Sequence, residues 1–279
     1  MAADIERRGF SGIYSPSFGD ALGLCLSIAH TTTTLEFGTS IQPIYLQHPA
    51  ALATTASYLH EVSGGRFRLG VGVTHGPVIE RLGVSTGKPL SDMREYVGTM
   101  RAAAEQMGGL PPVILATLRD KMVGLASEIA DGAVWANASR SRMAHSLALL
   151  PAGQRTDFWI GNMLPTVIDD DIGAARAKNR STLQGYVALP NYRNYWIEAG
   201  YDAEMQAVQT ALAAGDRDGV LAAMSNEWLD DCTLSGPASR VRDGIEAWFD
   251  AGVTNPVIVP SSTSGGQVKA LNELFDAYA

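Results

Sequence analysis

Thr74-His75-Gly76 sets a hydroxyl, an imidazole and a glycine side by side. An imidazole with an unperturbed pKa of about 6.5 suits proton transfer at neutral pH, and glycine lets a ligand come close to the backbone. The other reading of His75 is a solvent-facing loop histidine. Thr117-Leu118-Arg119-Asp120-Lys121 puts a guanidinium at what reads as a helix start. Free backbone N–H groups and a planar cation there suit a phosphate, while Asp120 as a simple helix cap is the competing reading. Asn137-Ala138-Ser139 offers a carboxamide that is both donor and acceptor, fit for a pyrimidine-like edge. A turn-forming asparagine explains Asn137 equally well, and Asn162-Met163 shares the ambiguity.

These segments need elements to hold them, and the pattern supplies strands. Gly64 to Thr74, GGRFRLGVGVT, is a short apolar run bracketed by glycines, which favours a strand, and its near-continuous apolar character suggests cover on both faces. Further strands are expected at Gly12 to Ser15, Leu35 to Ile44, Pro112 to Thr117, Gly132 to Asn137, Phe158 to Met163 and Pro256 to Pro260. Helices are expected over Ala21 to His30 with Asp20 as cap, Pro49 to Val62, Val78 to Leu82, Ser91 to Met107 with Ser91 or Asp92 as cap, Asp120 to Ile129 and Ser141 to Leu150. Later ones are expected over Asp169 to Leu183, Leu189 to Tyr201, Ala203 to Ala214, Val220 to Asp231 and Pro237 to Gly252, while Asp4 to Phe10 reads as the end of an opening helix. Strand and helix alternate, which implies a parallel sheet in one α/β domain, residues 1–279. At this length a barrel leads over an open doubly wound sheet, and each polar segment above follows a strand, where α/β folds bind ligands.

Composition narrows the partners. With 29 acidic against 21 basic residues the formal net charge is -8, which argues against nucleic acid. Cys25 and Cys232 lack CxxC spacing and read as buried thiols in a reducing compartment; with no secretory leader and no apolar run long enough for a membrane, the expected location is cytoplasmic. The five histidines show no short metal-ligand spacing, so no metal is expected. Gly83 to Pro89 imitates a phosphate loop but lacks one residue between its glycines and the Ser or Thr that would hold magnesium. Tyr186, Tyr192, Tyr195 and Trp196 read as a helix pair packed on the sheet rather than as a substrate pocket.

Taken together, GFSGIYSPS, LEFGTSIQPIYLQHPAALATTASYLHEVSGGRFRLGVGV, PPVILATLRDKMVGLASEIADGAVWAN and GPASRVRDGIEAWFDAGVTNPVIVPSS resemble the luciferase-like monooxygenase superfamily, in particular its branch of oxidoreductases dependent on coenzyme F420, a deazaflavin. The resemblance implies a TIM-like (β/α)8 barrel, here lacking or shortened in its first strand because the chain opens within a helix. It implies a cofactor at the carboxyl face of the strands and a hydride transfer between F420 and a small organic substrate. The alternatives are an FMN-dependent monooxygenase served by a flavin reductase, or a non-catalytic paralogue. It further implies a homodimer, and a non-prolyl cis peptide at Ser40–Ile41 forming a bulge behind the cofactor ring. Ser40, Ile41, Thr74, His75, Gly76, Arg119 and Asn137 are thus the expected cofactor-binding residues, with His75 as the candidate catalytic acid. Ser15-Pro16-Ser17 departs from the pattern: an acidic residue and a histidine are expected at this strand end in the dehydrogenases of the branch.

Overall fold

A computed structural model describes residues 1–17, 19–151 and 157–279, arranged as two compact units, Met1–Val134 with Leu150–Trp159, and Trp135–Leu149 with Ile160–Ala279. In the first unit the order is α1 (Ala2–Arg7), β1 (Gly12–Ser15), α2 (Ala21–Thr31), β2 (Glu36–Thr39), β3 (Gln42–Pro43), α3 (Pro49–Val62), β4 (Phe67–Gly72), α4 (Gly76–Leu82), α5 (Pro89–Ala104), β5 (Val113–Ala116), α6 (Asp120–Ile129) and β6 (Gly132–Ala136), whose last residues pass into the second unit. All pairings are parallel: β1 with β2, β2 and β3 with β4, β4 with β5, and β5 with β6.

Local chemistry sets these boundaries. Asp20 caps α2 by accepting from the Gly23 N–H at 2.9 Å, and Pro49 opens α3, where its missing N–H costs nothing. Gly64 and Gly65 then turn the chain at φ +65 and +87, values that side-chain-bearing residues resist. Arg66, next in line, is the hub beneath the sheet. Its guanidinium donates to the carbonyls of Ala29, Thr32 and Leu35 and to the Thr32 hydroxyl at 2.8 to 3.0 Å, while its Nε meets Ser63 O at 2.9 Å. It thereby satisfies carbonyls that the end of α2 leaves unpaired. From the other side Glu6 Oε1 accepts from the N–H groups of Thr33, Thr34 and Leu35 at 2.6 to 2.9 Å, and these bonds hold its pKa down to about 2. Phe37 and Phe67 meet at a tilt, ring centroids 5.6 Å apart, in the core with Leu52, Leu59, Met93 and Met100, each side chain contributing roughly 1.5–3 kcal/mol of burial.

The second unit contains α7 (Met143–Ala148), β7 (Trp159–Ile168, from Ile160 onward), α8 (Ile172–Val187), α9 (Pro190–Glu198), α10 (Asp202–Ala213), α11 (Arg217–Ala223), α12 (Asn226–Cys232), β8 (Leu234–Gly236), α13 (Ala238–Asp250), β9 (Asn255–Ser261) and α14 (Gln267–Ala277). β7 pairs in parallel with both β8 and β9. Asp171 caps α8 on the Ala174 N–H at 3.1 Å, and Asn179 Nδ2 ties α8 to β8 through Leu234 O at 3.0 Å and Ser235 Oγ at 2.8 Å. Trp196 and Trp228 meet edge to face at 4.9 Å in its core. Both cysteines are buried, and burial pushes the Cys25 thiol up to about 12. Among the described residues no helix is long and apolar enough to cross a membrane.

Several expected boundaries move. The Leu35 to Ile44 strand is two strands, β2 and β3, because the sheet accommodates an extra residue between them. Asp92 does not cap α5: it lies in the first turn, where it accepts from the Tyr45 hydroxyl at 2.7 Å and the Gly87 N–H at 2.8 Å, and Lys88 takes the cap position. Asp120 is likewise the first residue of α6, not its cap, which is Arg119. The Val220 to Asp231 helix breaks at Met224, whose extended backbone lets Ser225 cap α12 on the Trp228 N–H. β8 and α14 stand where no element was expected, and β7 continues to Ile168 beyond the expected strand end.

Candidate functional site

Strand ends on the carboxyl side of the first unit carry most of the expected residues. Parallel registers align Ser15 with Thr39, Pro43 with Gly72 and Ala116 with Val134, so Ser40-Ile41, Thr74-His75-Gly76 and Thr117-Leu118-Arg119 all leave the sheet along one edge. At β2 the bulge is explicit. Gly38 pairs with Arg68 and Gln42 with Val71, so the outer chain spends four steps where β4 spends three. The Ser40–Ile41 peptide within this bulge is cis. Ser40 is buried and its N–H donates to Ser15 O at 2.9 Å, while Thr39 Oγ1 donates to Gly70 O at 2.7 Å.

Two glycines of β4 make the bulge sterically possible. A Cβ on Gly70 would lie 1.9 Å from the Thr39 carbonyl oxygen, and one on Gly72 would lie 2.7 Å from Ala116 Cβ and 2.9 Å from Ile41 Cδ1. The motif singled out at Gly64 to Thr74 thus has a structural reason for its two interior glycines: they seat the Thr39–Ile41 bulge. Gly76 differs. Nothing lies within 4 Å of where its Cβ would be, so the space before it is open.

His75 occupies the cap position of α4, half-buried, and its carbonyl accepts from the N–H groups of Val78 at 2.9 Å and Ile79 at 3.1 Å. Burial lowers its pKa below the ordinary imidazole value. Thr74 is half-buried beside it, and Arg119 is exposed at the start of α6.

Asn137 belongs to the second unit, where it follows the end of β6. It has φ +58, a left-handed backbone that asparagine tolerates better than most residues. Three neighbours fix this turn: the Asn137 N–H donates to Met163 O at 3.0 Å, Trp196 Nε1 donates to Asn137 O at 3.3 Å, and the Ala138 N–H donates to Asn162 Oδ1 at 3.2 Å. The next residue is held too, since the Ser139 N–H donates to the Tyr195 hydroxyl at 3.1 Å. Asn162 therefore has its amide orientation dictated: its oxygen must face Ala138. The Nδ2 group of Asn162, a fully buried residue, then has no acceptor at hydrogen-bonding distance. Leaving such a donor unpaired costs about 1–3 kcal/mol, so an acceptor arriving there is favoured.

Of the four aromatics expected to pack, Tyr192, Tyr195 and Trp196 are fully buried. Tyr186 is not: it is half-buried in the last turn of α8, its ring edge-on to Tyr192 at 5.0 Å and its hydroxyl beside the Asn137 carboxamide. Burial raises its pKa and the Asn137 carboxamide partly offsets the rise. Nothing in the sequence separates Tyr186 from its three neighbours, because all four sit at helix spacing.

Residues 1–255 match the family model described as luciferase-like monooxygenase. A 5,10-methylenetetrahydromethanopterin reductase of Archaeoglobus fulgidus is 28% identical over 260 residues, covering 82% of this chain and 78% of that protein. The structure of the coenzyme F420 dependent tetrahydromethanopterin reductase from Methanopyrus kandleri superposes with a TM-score of 0.76 at 16% identity, over 99% of this chain and 93% of that one. An F420-dependent secondary alcohol dehydrogenase, in complex with an F420-acetone adduct, superposes with a TM-score of 0.72 at 16% identity, over 99% and 92%. The shared fold is the expected TIM-like α/β class, and among the described residues helix α1 precedes the first strand, β1.

Proposed function

From the premise that this chain belongs to the luciferase-like monooxygenase family, we propose that it is an oxidoreductase moving a hydride between the deazaflavin coenzyme F420 and a small organic substrate. The observation carrying the proposal is the one-residue bulge at Thr39–Ile41, seated on Gly70 and Gly72, at the strand end where the family's cofactor ring is expected. The coenzyme F420 in the names of the Methanopyrus reductase and the alcohol dehydrogenase supports the deazaflavin reading.

The residues present fit a planar cofactor with an acceptor-rich edge. In the first unit no Cβ stands at Gly72 against Ile41, and in the second the buried Asn162 amide donor lacks an acceptor. Ser40 and Ile41 would back the ring, Thr74, His75 and Gly76 would line the ring or tail, and Arg119 would meet a phosphate. Asn137 would read the carbonyl edge. When bound, the reduced deazaflavin supplies the hydride from its central ring carbon. The protein's part is orientation and exclusion of water. His75 is the candidate acid in this scheme. We also propose a homodimer, supported by Leu24 on α2 and Tyr58 on α3, two large apolar side chains each about half exposed. Light scattering that gave the mass of a single chain at working concentration would remove that part of the reading.

Parallel equilibrium titrations with coenzyme F420 and with FMN, read by cofactor fluorescence, test the central claim. Tight binding of F420 alone is the expected result. Binding of FMN alone would replace the proposal with an oxygen-dependent monooxygenase served by a flavin reductase, and binding of neither would favour a non-catalytic paralogue.

A further inference from the structure

Within the first unit, the turn at Thr74 to Gly76 runs straight into α4, and the segment from Gly76 to Lys88 is built unlike the helices beside it. α3 and α5 each bury five residues, whereas from Gly76 to Arg81 and from Gly83 to Lys88 no residue is buried. α4 nonetheless carries an apolar pair, Val78 and Ile79, each only half-buried, and Val84 just beyond the helix is half-buried too. A short helix with so little buried apolar surface belongs to the low-stability end of a fold, from which moving elements are drawn. Its ends suit motion. At the front, nothing lies within 4 Å of where a Cβ on Gly76 would be, so the first turn can swing without collision. At the back, Gly83 closes the helix at φ +64, a conformation that side-chain-bearing residues resist. One latch follows: the Gly87 N–H donates to Asp92 Oδ2 at 2.8 Å, and the same oxygen accepts from the Tyr45 hydroxyl at 2.7 Å. Asp92 stands on α5, which buried Met93, Tyr96, Val97 and Met100 hold in place, so the segment is fastened behind α4 and pivots in front of it.

Resting on the hydride-transfer reading above, we propose that α4 is a lid that turns Val78 and Ile79 onto a substrate lying at Thr74 to Gly76, and that the substrates are uncharged and mainly apolar. The side chains on the lid select that class. Closure over an apolar body takes Val78 and Ile79 out of water, and each methylene that the substrate buries beneath them favours binding about threefold to fourfold. A charged substrate would gain nothing from either side chain and would lose its hydration under them. Glu80 and Arg81, the charged residues of α4, are exposed and remain with the solvent. A lid of this kind also excludes water at the moment of hydride transfer, and its opening releases product.

Oxidised F420 and a ketone both accept hydride, so together they form a complex that cannot turn over and binding is read alone. Butan-2-one, hexan-2-one and octan-2-one, titrated by calorimetry into the F420-loaded protein, should bind with an affinity that rises about threefold per methylene. In Val78→Ser/Ile79→Ser the rise should flatten to less than about 1.5-fold per methylene. F420 affinity should stay within about twofold and Tm within about 2 °C, because neither side chain is buried and serine is close to both residues in helix propensity. Hydrogen exchange reads the motion: octan-2-one should slow the amides of Val78 to Gly87 at least about fivefold and leave those of α5 within about twofold. Asp92→Ala should speed exchange at Gly87 about tenfold before any ketone is added, and unchanged exchange there would overturn the latch. Affinity independent of chain length, a double variant that keeps the parent's rise, or ketone binding with no change in exchange would each overturn the lid. Failure of octan-2-one to bind the F420-loaded protein would overturn the substrate class. A protein that takes up no F420 refutes the function proposed above, a separate result seen before any ketone is added, and this inference falls with it.

Discussion

Replacing Gly70 by alanine puts a single methyl group where the sheet has no space for it. The new Cβ would stand 1.9 Å from the Thr39 carbonyl oxygen, 3.0 Å from its carbon and 3.3 Å from Ile41 Cγ2. Real Cβ contacts do not fall below 3.0 Å, so that oxygen must withdraw by about 1.1 Å, and being main chain it cannot rotate away. Withdrawal strains the bond from Thr39 Oγ1 to Gly70 O and the one from Ser40 N–H to Ser15 O. Two bonds at about 1 kcal/mol each, with roughly 1–3 kcal/mol for overpacking, give about 3–5 kcal/mol of destabilisation. The lower chain entropy of unfolded alanine returns up to about 1 kcal/mol, leaving a net loss of about 3 kcal/mol. For a chain of this size that is a fall of roughly 6–12 °C in Tm. Differential scanning calorimetry reads it, and F420 titration on the same sample should show affinity at least tenfold weaker because Ser40 and Ile41 move with Thr39. Gly76→Ala is the control: no atom lies within 4 Å of its Cβ, so its Tm should stay within about 2 °C. A Gly70→Ala protein that melts with the parent would refute the claim that the bulge is seated on bare β4 backbone.

Three further outcomes are expected. Arg66→Met, stripping the guanidinium from the carbonyls of Ala29, Thr32, Ser63 and Leu35, should cost about 3 kcal/mol in urea unfolding with an unchanged m-value; a loss below about 1 kcal/mol would show that water replaces it freely. Glu6 has a folded pKa of about 2 against an ordinary 4.5, so its contribution is complete above about 4.5 and is lost as pH falls toward 2; Glu6→Gln should flatten that acid limb of the stability curve, and superimposable limbs would contradict the loop-binding role. For His75 the folded pKa lies below 6.5, so unfolding takes up a proton in acid and stability falls as pH drops below about 6.5; His75→Asn should remove this slope, as measured by chemical unfolding across that range.

How far the chain could be read depended on how local each cause was. α3 and α6 begin and end where the sequence indicates, and so does β1, because Pro49, Gly64-Gly65 and the Pro16 that follows β1 act within a few residues of themselves. The division of Leu35 to Ile44 into β2 and β3 depends on how Gly70 and Gly72 meet it across the sheet, and the residues suggested the bulge only through family resemblance. Asp92 resembles a helix cap because its real partner, Tyr45, is 47 residues away. β8, three residues long, owes its place to Asn179 reaching it from α8. In the candidate site the residue types at strand ends were legible, while the left-handed Asn137 and the contrast between Tyr186 and its buried neighbours arise only from packing.

The loop from Thr32 to Leu35 is gripped twice, by the Glu6 carboxylate on its amides and by the Arg66 guanidinium on its carbonyls. Opposite charges thus hold the two kinds of main-chain group in the same few residues, and β2 enters the sheet from an anchored end. Tolerance for change is consequently lopsided. A residue inserted between Thr32 and Leu35 would break both grips and misalign β2 along its length, whereas lengthening the Thr74 to Gly76 turn disturbs nothing upstream of it. The scaffold thus separates an edge whose length must stay constant from one, at Thr74–Gly76, that neither grip touches.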